Sequence, residues 1–161
     1  SPSRGLGDVY KRQEWRRLIT ETLKETGLYS DNARDLIMGT FAQESNFKYT
    51  RQIGGGPALG YGQMEPATFN DIVVNFLRHK PELMGKVMKA SSVVTLEPEM
   101  LVDNKKLMIC MTRIHYLRVK EALPSNKDVW AMGEYWKQYY NTPLGRGTVK
   151  EFVENYKKYC L

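Results

Sequence analysis

At 161 residues the chain suits one domain that buries roughly two-thirds of its unfolded surface in a single core. A net charge of +6 and a pI near 9.3 favour an anionic partner, yet no zinc-finger spacing, RNP-type motif or arginine cluster marks a nucleic-acid binder. No apolar run is long enough to span a membrane, and the two cysteines, Cys110 and Cys160, form no metal or redox motif.

The predicted elements are nearly all helical. Residues 1–13, SPSRGLGDVYKRQ, resemble a translated sequencing adaptor, a tail to be kept outside the fold argument. The single expected domain therefore runs from Glu14 to Leu161. Trp15 to Thr26 is an amphipathic segment ended by Gly27. Ser30 or Asp31 caps the next helix, 31-DNARDLIMGTFAQESNF-47. Pro66 suits the first turn of a helix reaching about His79, with Phe69, Ile72, Val73, Phe76 and Leu77 apolar. Pro81 stops it and opens a short helix through Val87, and Pro98 opens another segment. Asn104 to Ala122 reads as a long central helix holding Cys110 in its apolar run. Asp128 to Tyr140 is a helix rich in aromatics. Thr148 and Glu151 form a capping box for a last helix, Val149 to Tyr159.

Within the second helix one residue breaks the pattern. At about 100° per residue, Leu36, Ile37, Thr40 and Phe41 share one sector, and Glu44 falls inside it. A buried carboxylate is costly unless neutral or paired. Glu44 also lies near the helix C-terminus, where the backbone dipole disfavours negative charge. Both effects raise a carboxyl pKa, and an acid protonated near neutrality is what glycosidic cleavage needs as its general acid. A helix ending before Glu44 would instead leave the side chain in water.

The residues that follow bear on this choice. The stretch 53-IGGGPALGYGQMEPATFNDI-72, together with Glu44-Ser45, resembles the lysozyme-like lytic transglycosylases, most of all phage-encoded members. Their pattern is a helix ending in Glu-Ser, a glycine-containing loop, then Gly-Leu-x-Gln-x-x-Pro-x-Thr. Gly60, Tyr61, Gly62, Gln63, Pro66 and Thr68 fill it here, with Tyr61 in place of Leu. The family's Ala-Tyr-Asn-Ala-Gly-x-Gly element has an echo in 139-YYNTPLGRGTV-149. Tyr140 and Asn141 match it, Tyr139 replaces the first Ala, and Thr142, Pro143 and Leu144 lengthen the turn before Gly145 and Gly147. The resemblance covers about Asp31 to Val149.

It implies a mainly α, lysozyme-like fold around a central catalytic helix, with at most a small β element near residues 52–62. It also implies a peptidoglycan glycan strand as partner, other virion proteins as further partners, and action at the bacterial cell wall; the residues themselves suggest no metal site and no cofactor. Glu44 would protonate the oxygen between N-acetylmuramic acid and N-acetylglucosamine. The muramyl primary hydroxyl would then close on the anomeric carbon, giving its proton back to Glu44.

The supporting residues follow from the same likeness. Ser45 would orient the acid, Gln63 would line the sugar cleft, and Tyr140, or its neighbour Tyr139, would bond the acid. Gly60, Tyr61 and Asn141 would border the substrate. Each has an ordinary alternative: a polar helix end for Ser45, aromatic packing for the tyrosines. Gly54, Gly55 and Gly56 would allow close backbone approach to the glycan or form a merely flexible loop. Trp130, Tyr135 and Trp136 are read as core before sugar platforms, and His79 and His115 as structural or surface. A hydrolytic mechanism needs a second carboxylate, for which Glu65 and Asp71 are the nearest in sequence. A glycan-binding or virion structural module without turnover, and a helical nucleic-acid binder, are the competing classes.

Overall fold

A computed structural model describes residues 6–141 and 144–161. The described residues form seven α-helices: α1 (Leu6–Thr26), α2 (Asp31–Ser45), α3 (Pro66–Asn75), α4 (Pro81–Ser91), α5 (Lys105–Leu117), α6 (Val129–Trp136) and α7 (Val149–Tyr159). No strand occurs among them. The expected β element is reduced to two isolated bridges, Arg51 with Leu59 and Leu59 with Met64. Residues 1–5 of the adaptor-like tail, and Thr142 and Pro143 of the lengthened turn, lie outside the described residues.

Helix α2 is the centre of the core. Ser30 caps it from an extended conformation, its Oγ accepting from the Ala33 N–H at 3.0 Å, a contact worth about 1 kcal/mol. Leu36, Ile37, Met38 and Phe41 are almost fully buried, and Ala33, Gly39 and Ala42 are buried as well. A helix apolar on so many sides belongs inside, and α2 packs against α1, α5, α6 and α7. Gly39 lets α7 approach closely: a Cβ there would lie 2.4 Å from Phe152 Cζ. The helix ends at Asn46, in the left-handed conformation, whose N–H returns to the Ala42 carbonyl.

Several boundaries differ from the sequence reading. Helix α1 begins at Leu6, eight residues before Glu14, so residues 6–13 belong to the same helix as the segment that follows. Helix α3 stops at Asn75, because Phe76 leaves helical geometry (φ −130°, ψ −64°) and Leu77–His79 form a 3-10 turn with Leu77 buried. Lys80 then lies outside helical geometry (φ −133°, ψ 69°), in keeping with the bias of a residue before proline away from the helical region. Helix α4 runs past Val87 to Ser91. Helix α5 ends at Leu117 rather than Ala122. The chain beyond it returns to α2, where Asn126 donates to Asn32 and Asp35. The aromatic segment divides into α6 and a π-helical turn, Lys137–Asn141. The Thr148–Glu151 capping box forms as expected, with Thr148 Oγ1 accepting from the Glu151 N–H at 3.1 Å.

Candidate active site

Glu44 lies in the last turn of α2, one residue before its end. Its carboxyl opens on a cleft of about 480 Å³ whose lining includes Gln52, Gln63, Glu65, Thr68, His115, Tyr140 and Asn141. The side chain is only partly exposed. Burial pushes its pKa from 4.5 up to about 7, against the opposing effect of one hydrogen bond from Trp136. Trp136 Nε1 donates to Glu44 Oε2 at 3.0 Å, and the indole itself is fully buried, stacked on Phe152. Among the described residues, nothing cationic forms a salt bridge with Glu44.

Asp35, on the same helix, has the opposite environment. Burial raises its pKa too, but the hydrogen bonds of Arg34 and Asn126 and the charges of Arg34 and Arg16 outweigh it, and the net shift is downward. Arg16 Nη1 lies 2.6 Å from Asp35 Oδ1. Asp35 is therefore held charged as a structural anchor. Glu44, on the same helix, keeps its proton up to about neutral pH and opens on solvent, the setting an acid catalyst needs.

The loop after α2 is shaped by two adjacent carbonyls. Ser45 Oγ donates to the Tyr61 carbonyl at 2.8 Å and to Phe41 O at 3.1 Å. It thus ties the loop to the helix and does not touch the Glu44 carboxyl. Tyr140 hydroxyl donates to the Gly62 carbonyl at 2.5 Å, so this tyrosine also spends its proton on the loop rather than on Glu44. Gly62 cannot carry a side chain, since a Cβ would meet Thr112 Oγ1 and the Tyr140 hydroxyl, each at 2.7 Å. Gly60 is similarly required: it has φ +75°, and its Cβ would lie 2.9 Å from the Leu101 carbonyl. Gly60 is thus a packing residue.

Gln63 sits in the cleft with φ +48°, a left-handed conformation uncommon for a residue with a side chain. Its Nε2 donates to Gly60 O at 2.9 Å, which offsets part of that strain. Tyr61 points elsewhere. Its ring packs among Trp15, Phe41 and Phe47 at centroid separations of 5.1–6.1 Å.

Of the two neighbouring tyrosines, Tyr140 faces the cleft. Tyr139 stands against Tyr135, 4.8 Å between centroids, and lines other hollows. Asn141 closes the π-helical turn, where its Oδ1 accepts from Lys137 Nζ at 2.8 Å. Trp130 is half-exposed, away from the cleft lining, while Tyr135 and Trp136 are buried. Of the triglycine loop, neither Gly54, Gly55 nor Gly56 lines the cleft.

The two carboxylates considered as partners of Glu44 separate. Glu65 lines the same cleft at the start of α3, with no capping bond from its side chain. Asp71 lies outside it and is already engaged, by Asn75 at 2.6 Å and Arg118 at 2.7 Å. These contacts hold its pKa down.

His115 and Trp136 are the site residues that the sequence reading set aside. His115 lines the cleft and lies edge-on to Tyr140, 4.8 Å between centroids. Burial lowers its pKa, so the ring is neutral at physiological pH. Nε2 lies 3.2 Å from the Tyr139 carbonyl. A carbonyl only accepts, which places the proton on Nε2 and leaves Nδ1 an acceptor. Among the described residues no group of three or more His, Cys, Asp or Glu could hold a metal ion. No helix among them is long and apolar enough to cross a membrane.

No protein-family model, no curated protein and no solved structure matches this chain.

Proposed function

We propose that this protein cleaves the β-1,4 bond between N-acetylmuramic acid and N-acetylglucosamine in bacterial peptidoglycan, with Glu44 as general acid and then general base. The observation that carries the reading is the setting of Glu44: a largely enclosed carboxyl with no salt-bridge partner among the described residues and a pKa near 7, opening on a cleft whose lining combines the amides of Gln52, Gln63 and Asn141 and the imidazole of His115 with one further carboxyl, Glu65. Gln63, Asn141 and the Nδ1 of His115 offer the donors and acceptors that sugar hydroxyls and acetamido groups need.

In the first step the Glu44 proton passes to the bridging oxygen, and the C1–O bond breaks through an oxocarbenium-like transition state. In the second, the muramyl C6 hydroxyl attacks C1 and its proton returns to Glu44, giving an anhydro-muramyl end. One acid serves both steps, and no water is consumed. The Trp136 N–H stabilises the carboxylate that exists between them, while burial keeps it basic enough to recover its proton. Virion-borne delivery to the cell wall belongs to the same reading.

A hydrolytic variant is favoured by one observation, the presence of Glu65 in the same cleft. Mass analysis of muropeptides released from cell walls distinguishes the two, since the anhydro product is lighter by one water. Glu44→Gln removes the transferable proton, and the expected loss exceeds the roughly 10²–10⁴-fold typical of general acid catalysis alone. Glu65→Gln should cost far less. Equal losses in the two variants, with hydrolysed ends, would replace the single-acid mechanism by a two-carboxylate one. Undiminished lysis by Glu44→Gln would remove the proposal.

A further inference from the structure

The cleft around Glu44 adjoins a second hollow at His115. Thr68 and His115 line both the cleft and this second hollow of about 490 Å³, which is completed by Asp71, Arg118, Val119 and Tyr139. Thr68 and His115 thus form a wall common to both hollows, and a ligand extending past it would contact each.

The two hollows differ in charge chemistry. Beside the glutamates, the cleft offers amides, a neutral imidazole and a hydroxyl-bearing threonine. The second hollow carries an ion pair set on a defined frame. Arg118 Nη1 donates to Asp71 Oδ2 at 2.7 Å, and Asp71 Oδ1 accepts from Asn75 Nδ2 at 2.6 Å. The guanidinium lies over the Phe76 ring, 5.7 Å from its centroid. With side chains 32% and 49% exposed, Arg118 and Asp71 are oriented yet reachable. A guanidinium has five N–H donors in a fixed fork, and its bond to Asp71 leaves others for a second carboxylate.

An acetylated amino-sugar glycan has no charges for such a pair to meet. In peptidoglycan the muramyl carboxyl is itself consumed in the amide that attaches the stem peptide. The charges lie on that peptide, as carboxylates and, where it is not cross-linked, an ammonium. We propose that the second hollow is a peptide subsite: it takes the stem peptide borne by the muramyl residue, with a peptide carboxylate on Arg118 and a peptide N–H or ammonium on Asp71. The inference rests on the reading of the Glu44 cleft as a glycan-cleaving site. It also gives Asp71 a role that is not catalytic.

Two substrates test it: peptide-bearing glycan strands, and the same strands stripped of peptide by an amidase. Wild-type protein should cleave both, with the higher kcat/KM on the peptide-bearing strands. Arg118→Gln should lower the ratio of kcat/KM on peptide-bearing to stripped strands about tenfold, the equivalent of one charged hydrogen bond, through KM rather than kcat. Asp71→Asn, nearly isosteric and exposed, should lower the same ratio in the same direction and guards against a fold defect in the arginine variant. An unchanged ratio in both variants, or a wild type indifferent to the peptide, overturns the peptide subsite while leaving the cleavage reading intact. A wild type that cleaves neither substrate overturns the cleavage reading, and this proposal with it.

Discussion

Glu44→Gln should stabilise the protein at neutral and alkaline pH. The pKa of Glu44 rises from 4.5 to about 7 on folding. Between those values the folded chain holds a proton that the unfolded chain has released. Stability therefore falls as pH rises through this window and levels off above it. Each factor of ten in acidity is worth about 1.4 kcal/mol, so the full displacement amounts to about 3 kcal/mol at pH 8. Gln carries no charge, and its amide oxygen can still accept from Trp136 Nε1, so the variant escapes this loss. At pH 4.5 the two proteins should be nearly equal in stability. At pH 8 the variant should be more stable by up to about 3 kcal/mol, or roughly 6–12 °C in Tm at 2–4 °C per kcal/mol for a chain of this size. Thermal melts followed by far-UV circular dichroism at the two pH values measure the difference. A variant less stable than wild type at pH 8 would refute the reasoning, because it would mean that Glu44 is charged and paired in the native state.

Under the proposed function the same proton should set an alkaline limb in the pH profile of kcat/KM on cell walls, with a midpoint near 7, to be measured under first-order conditions. Trp136→Phe removes the N–H that favours the charged form of Glu44, so the limb should move to higher pH; a limb moving the other way would contradict the assigned role of the indole. Gly39→Ala drives a Cβ to within 2.4 Å of Phe152, whose ring stacks on Trp136. Overpacking costs about 1–3 kcal/mol, offset by roughly 1 kcal/mol of helix propensity, and a lowered urea midpoint should register the balance.

What the sequence made legible was local. Glu44 stood out because a period of 3.6 places it among Leu36, Ile37 and Phe41, and the caps at Ser30 and Thr148 were readable because they act within four residues. The bond from Trp136 to Glu44 joins residues 92 apart in sequence, and no periodicity encodes it. An aromatic at helical spacing looks the same whether its N–H is idle or holds a buried carboxyl. His115 escaped for the same reason, since its partner is a backbone carbonyl from another segment. The choice between Tyr139 and Tyr140 depended on the π-helical turn, which changes the direction in which successive side chains point. The break at Phe76 was hidden by an apolar pattern that continues unbroken through Leu77.

The carbonyls of Tyr61 and Gly62 belong to consecutive residues, yet one is held by Ser45 and the other by Tyr140. The loop is anchored from the end of α2 and from the π-helical turn, two segments almost a hundred residues apart. It cannot follow one without releasing the other. Its conformational entropy is accordingly surrendered when the chain folds, not when a ligand arrives. A ligand entering the cleft meets a wall already set, and under the proposed function more of a glycan's contact energy would be left for straining the sugar toward the geometry in which the bond breaks.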